Sequence, residues 1–253
     1  MVPAVVIHLA WEGFSFLRAS PGALLGTEWF PTRGFFGILP LVGGTLATSI
    51  LAMLVSVPLG LGAAIALHFH APVRMRSSSD AVLGVLGGTP SVVFGLFATV
   101  WLVPLFGATL GTAVLVLTAM VTPTFTLLAL AALRQLPTDL MEAGTTLGLR
   151  RSQVIRRLAL RVARPQLAAA ASFSLARCLG EALAVEMVCG NVANMPSSLA
   201  LPVRTLTTTL VQEFDYAAGE HRAALHLVAL TVVLFAAIAT TLAIRLSRRG
   251  VTA

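Results

Sequence analysis

The chain has 253 residues, of which 57% are hydrophobic and only 11% charged, with a mean hydropathy of +0.91. Water-soluble domains carry about 25% charged residues, so this composition excludes one and indicates an integral membrane protein. The net charge of +7 comes from 17 basic residues, all of them arginine and gathered in blocks, so it does not read as a nucleic-acid-binding surface.

Charge-free intervals count the membrane crossings, since a spanning helix needs about 20 apolar residues. No charge falls between Arg33 and Arg74, between Asp80 and Arg134 (enough for two crossings), or between Arg222 and Arg245. The interval from Arg164 to Arg177 is short, but its apolar run continues to about Gly190. Five full spans are expected: 40–68, one beginning near Asp80, 112–133, 166–190 and 223–244. Arginines cluster at Arg74 and Arg76, through 134–164, and at Arg245, Arg248 and Arg249, while Glu213, Asp215 and Glu220 sit together elsewhere. Excess arginine marks the cytoplasmic side, which places these clusters and the C-terminus inside.

In chain order, residues 1–17 are apolar but interrupted by Trp11 and Glu12, too short to cross a bilayer and without the basic front of a signal peptide. They read as the tail of a truncated first span or as an interfacial segment. Residues 18–39, with Trp29, Phe30, Pro31, Phe35 and Phe36, read as an external loop carrying aromatic belt residues. In the span 40–68, Pro58 and two glycines predict a kink. Within Leu86–Gly95, Gly87, Gly88 and Pro90 predict a helix broken inside the membrane, exposing the hydroxyls of Thr89 and Ser91. Broken backbone at that depth is tolerated only inside protein or beside a watery cavity. It serves either close helix packing or the lining of a substrate path. Thr122-Pro123-Thr124 predicts a second break.

The stretch Arg134–Pro165 holds seven of the seventeen arginines. Asp139 with Glu142 three residues on resembles a capping box, and Gly148 interrupts the pattern about two turns later. A second helix is expected, with Val154, Leu158 and Val162 four residues apart and Ile155 beside them. Arg150, Arg157, Arg161 and Arg164 form a neighbouring basic stripe. Such an amphipathic hairpin between spans either lies on anionic lipid or is gripped by another protein.

Glu142-Ala143-Gly144, three residues, then Gly148 resembles the coupling loop of ABC importer permeases, with Leu158 standing for that motif's isoleucine. The family pattern has a second alanine where Gly144 stands and a final proline where Arg161 stands. In those proteins the loop docks into a cytoplasmic ATPase.

Arg177 and Glu181, in Ala-Arg-Cys-Leu-Gly-Glu-Ala-Leu, lie four residues apart and so share one helical face if the helix continues. An unpaired ion at that depth costs from roughly 3 to above 10 kcal/mol, so the pair should face the bundle interior or an aqueous path. A guanidinium matches an oxyanion in bidentate geometry and stays charged. The pair is either a substrate site or a packing salt bridge. Glu186, five residues further on, has no assignable role. Cys178 and Cys189 form no metal pattern and read as small packing residues.

Taken together, residues 26–67, 86–97, 142–148, 176–192 and 195–225 resemble the C-type permease of the bacterial Pst-type phosphate ABC importer. That resemblance implies an all-α membrane bundle of the type I ABC importer permease kind, with about five full spans plus a truncated first one. It implies one permease domain over 1–253, with a core of about 40–247 and a coupling loop at 134–165. It also implies the partners: a second homologous permease, a cytoplasmic ATPase dimer, an extracytoplasmic phosphate-binding protein and the surrounding lipid, with no nucleic acid and no cofactor. Arg177, Glu181, Thr89 and Ser91 would line the path, and Glu142, Ala143, Gly144, Gly148 and Leu158 would form the coupling surface. The chain holds no lysine and therefore no phosphate-binding Gly-x-x-x-x-Gly-Lys loop, so ATP hydrolysis is expected on a partner. Other oxyanions, such as sulfate, molybdate or phosphonate, satisfy an arginine equally. A membrane-embedded hydrolase would need a nucleophile with a base, or a metal cluster, and none of the five histidines pairs with an acid at ligand spacing inside the spans.

Overall fold

A computed structural model describes residues 2–137 and 139–251. Almost every ordered segment is helical, because a backbone in lipid must satisfy its own hydrogen bonds. In order these are α1 (Val2–Ala19), α2 (Leu39–Ile65), α3 (Val73–Gly88), α4 (Ser91–Trp101), α5 (Val103–Phe106) and α6 (Leu110–Arg134). There follow α7 (Asp139–Thr146), α8 (Arg151–Gln153), α9 (Leu160–Leu179), α10 (Leu183–Glu186), α11 (Leu206–Glu213) and α12 (Gly219–Val251). Two π-helical segments continue the spiral, Ala66–His70 after α2 and Val154–Ala159 between α8 and α9.

Among the described residues three helices are long and apolar enough to cross a membrane: Leu39–His70, Leu110–Arg134 and Gly219–Arg248. The pair α3 and α4 together qualifies as a fourth, broken span. The break falls where glycine and proline crowd the sequence: Thr89 and Pro90 are both extended, at ψ 131° and 136°. Against expectation, Pro123 does not break its helix: α6 runs on through it, as α2 does through Pro58, where a kink was expected. The expected crossing 166–190 is helical only to Leu179, and α10 follows as a separate single turn. Of the three long spans α6 is the most enclosed, 61% buried against 22% for each of the others, whose bare faces suit lipid.

The chain divides into two compact units. The first comprises 1–52, 90–118 and 176–238. Here α1 is a full helix packed by Phe16 and Leu17 into a cluster with Trp29, Leu41, Leu206, Leu225 and Val228. A two-residue hairpin, β1 (Trp29–Phe30) with β2 (Phe35–Phe36), turns Trp29 into that cluster, where it is 4% exposed. The aromatic belt expected at this loop is therefore split: Trp29 is core, while Phe30 and Phe35 remain exposed. A second cluster joins Ala98 of α4, Leu110 and Val116 of α6, and Ala184, Val185 and Val188 at α10. The second unit comprises 53–89, 119–175 and 239–253. Its core gathers Phe69, Phe125, Leu130 and Leu133 with Ile155, Ala159 and Ala163, so the hairpin after α6 is seated on the helix ends beneath it.

Candidate functional site

In the second unit, residues 139–163 form the helical hairpin expected of a coupling element. α7 opens with Asp139 and Glu142 in its first turn, where carboxylates suit the positive end of the helix dipole. Leu149 N–H returns to the Gly144 carbonyl at 3.1 Å and Gly148 N–H to the Thr145 carbonyl at 2.9 Å. This Schellman closure needs a left-handed residue, and Gly148 takes φ +76°. The chain then re-enters a helix whose first free amide is capped, Gln153 Oε1 accepting from Arg150 N–H at 2.9 Å. Gly144 has its own reason: a Cβ there would lie 2.6 and 2.9 Å from the Val154 methyls and 3.3 Å from Leu158 Cδ1. The glycine that stands for the family's second alanine is thus matched by the valine packed against it.

The expected apolar stripe Val154–Leu158–Val162 is corrected by the π segment. Its wider turns carry the Leu160 N–H to the Ile155 carbonyl, five residues back, and the buried face becomes Val154, Ile155, Ala159 and Ala163. Val162 is left exposed, as are Arg150, Arg157, Arg161 and Arg164. Arg151 donates to the Phe69 carbonyl at the end of the π turn after α2, fastening the hairpin to that span. On the same unit Arg134 makes a two-pronged bond to Asp80, at 2.9 and 2.7 Å.

In the first unit, α9 ends just past Arg177. Glu181 lies beyond the helix, so the four-residue spacing does not put it on one α9 face with Arg177, contrary to the helical-wheel expectation. The Glu181 carboxylate instead accepts the Ala184 N–H at 3.2 Å, holding the start of α10, and its carbonyl accepts Thr207 Oγ1 of α11 at 2.6 Å. Arg177 and Glu181 are both half-buried, flanking an interrupted helix. Ser91 begins α4, which lies directly on α10: a Cβ on Gly95 would approach Met187 Sδ to 2.8 Å and Ala184 Cα to 3.0 Å. Thr99 Oγ1 spans the same contact, at 2.9 Å from the Gly95 carbonyl and 3.3 Å from that of Met187. Thr89, on the second unit, turns its hydroxyl back to the Val85 carbonyl at 2.8 Å. Cys178 and Cys189 are buried as expected, Cys178 on α9 and Cys189 in the chain that follows α10.

A polar network on the first unit was not foreseen. The Glu213 carboxylate receives Trp29 Nε1 at 3.2 and 3.0 Å, Arg204 Nη1 at 2.5 Å and His221 Nε2 at 2.8 Å. Arg204 also donates through Nε to the Asn191 carbonyl and through Nη2 to Gln212 Oε1, and Gln212 reaches Glu186 Oε1 at 3.2 Å. Glu186 thereby acquires a structural part. The network floors a cleft of about 560 Å³, with Phe30, Pro31 and Tyr216 at its rim. Residue spacing could not reveal it, because Trp29 and Glu213 are 184 positions apart. The only hint was an arginine and a glutamate bracketing the short helix α11.

Comparison with known proteins follows this geometry. The profile described as "Binding-protein-dependent transport system inner membrane component" matches residues 56–251. The probable ABC transporter permease YqgH of Bacillus subtilis is 36% identical over 221 residues, 82% of this chain and 72% of that protein. The phosphate transport system permease PstC of Pasteurella multocida is 30% identical over 267 residues, 94% of this chain and 81% of that one. PstC of Haemophilus influenzae is 28% identical and is matched across 100% of this chain and 88% of its own length. Among solved structures, a chain of the MetNI methionine ABC transporter superposes with a TM-score of 0.69 at 19% identity, over 88% of this chain and 99% of that one. At that identity the likeness shows the fold alone: the helical bundle of a type I ABC importer permease.

Proposed function

The chain belongs to the family of binding-protein-dependent transport system inner membrane components, and from that premise we propose that the anion it passes is inorganic phosphate. It is a multi-pass inner-membrane permease and not itself an enzyme. The observation that carries the phosphate reading is its near full-length similarity to several phosphate transport permeases. The geometry supports the same reading. Arg177 stands at the last turn of α9, beside a backbone break whose free groups are taken up by Glu181 and Thr207. A guanidinium so placed can hold a tetrahedral oxyanion by two parallel N–H bonds. Thr89 and Ser91 stand at the other break; the Thr89 hydroxyl donates to the Val85 carbonyl, which leaves Ser91 as the hydroxyl that would meet a dehydrating anion.

The working complex in this reading pairs the chain with a second, homologous permease above two copies of an ATPase, while a binding protein loads phosphate at the outer mouth. The hairpin Glu142–Leu158 faces the cytoplasm together with the C-terminus, and ATP-driven closure of the ATPase dimer moves it. Arg177→Gln is expected to leave the assembled complex intact by copurification while abolishing phosphate uptake. Uptake at the wild-type rate would remove Arg177 from the path. Equal competition from sulfate or molybdate would reassign the anion.

A further inference from the structure

We propose that a groove on the second unit holds one acyl chain of an anionic phospholipid, clamped at its headgroup by Arg248. The groove, about 500 Å³ in volume, is walled by stretches of three helices: residues 128–135 at the end of α6, 166–173 in the middle of α9 and 243–248 towards the end of α12. Each wall changes character in the same direction. α6 runs from Leu128 through Ala131 and Ala132 to Gln135; α9 runs from Phe173 through Ala170 and Ala169 to Gln166; α12 runs from Ala243 and Ile244 to Ser247 and Arg248. The apolar end lies deep, and the polar end lies where the hairpin 135–165 emerges. That is the polarity of an amphiphile, read three times.

The length agrees. Seven residues of helix rise about 10 Å, roughly two-thirds of the hydrocarbon of one leaflet, which suits a single acyl chain better than a compact solute. Alanines make the slot: larger side chains at 131, 132, 169 or 170 would fill it. Charge selects the headgroup. No acidic residue lines the groove, and Arg248 has no ion pair or hydrogen bond among the described residues. In the orientation proposed above this end of the groove is cytoplasmic, and basic pockets between membrane helices on that side are places where anionic headgroups settle. The inference does not depend on phosphate being the transported anion.

The test uses the whole transporter, purified in mild detergent, with native mass spectrometry of retained lipid and reconstitution into mixed phosphatidylglycerol and phosphatidylcholine. The unaltered complex should keep one phosphatidylglycerol at this permease. Ala169→Phe, filling the slot from a half-buried position, should lose it, while Leu242→Phe, exposed on α12 outside the groove, should not. Arg248→Gln should still hold a lipid but lose its preference for phosphatidylglycerol by about fivefold, the share one arginine contributes at an anionic surface. Retention undiminished by Ala169→Phe, or a preference undiminished by Arg248→Gln, overturns the proposal. So does efficient crosslinking of Phe173→Cys to the neighbouring permease, which would show the groove filled by protein.

Discussion

Glu213 draws three donors onto one buried carboxylate: the Trp29 N–H, shared between both oxygens, Arg204 and His221. Its side chain is 5% exposed and that of Arg204 18%. A buried ion pair is poor evidence of net stability, because desolvation cancels much of the attraction. Losing one partner is different, since the other charge stays buried alone. Glu213→Ala is therefore expected to destabilise the protein by about 3–5 kcal/mol, read as a large drop in melting temperature in detergent. The double change Arg204→Met with Glu213→Leu should recover most of the loss, and a double variant as unstable as Glu213→Ala would refute the pair. The consequence reaches Glu181, a residue of the proposed path, through α11, whose Thr207 holds the Glu181 carbonyl. None of this was legible in the sequence. The partners are brought together by tertiary folding, and the sequence shows the acids at 213, 215 and 220 only as neighbours. Arg177 and Glu181 stand out in the sequence, because a charge inside an apolar run is conspicuous, but the shared helical face expected from their spacing is not formed. Gly180 ends the helix, and helical spacing carries no meaning past that end.

The hairpin 139–163 shows what a local pattern can and cannot convey. Its turn was readable, since a glycine between two amphipathic runs marks a left-handed closure, and Gly148 provides it. The broken pair α3–α4 was readable for a related reason, as Gly-Gly-Thr-Pro leaves too few good helical amides. Pro123 misled the same reasoning; in the span that carries it the helix continues. The π segment was invisible, because apolar residues at 154, 155, 158 and 162 fit an α-period as well. Gly144 offers a test at this scale. An alanine there gains about 1 kcal/mol in helix propensity but meets the stiff Val154 methyls at 2.6 and 2.9 Å. Overpacking costs about 1–3 kcal/mol, so Gly144→Ala should lower stability by up to about 2 kcal/mol. In a Val154→Ala background the same change should become stabilising. A double-mutant cycle with no coupling would show that the two sites do not meet.

For the whole molecule, composition alone established the membrane class, and charge-free intervals placed three of its spans to within about four residues at each end. The division into two compact units was not visible, since each unit is assembled from three separate stretches of chain. The orientation proposed above is open to direct test. A cysteine at Arg161, which is exposed, should be labelled by a membrane-impermeant maleimide only after the cells are opened. Labelling in intact cells would put the hairpin outside, beyond reach of any ATPase. Glu142→Lys, reversing a charge on the exposed start of α7, should cut ATPase copurification severely without affecting insertion. Full copurification would move the docking surface elsewhere.

The π-helical stretch Val154–Ala159 has one more consequence. A π bulge is equivalent to one surplus residue in an α-helix, so excising a single residue from it restores ordinary winding while leaving both flanks in phase. Removing Arg156 should therefore be far gentler than removing any one residue from α9, where every later side chain would swing by about 100°. Shortening the chain at this place and nowhere else along the helix should spare transport.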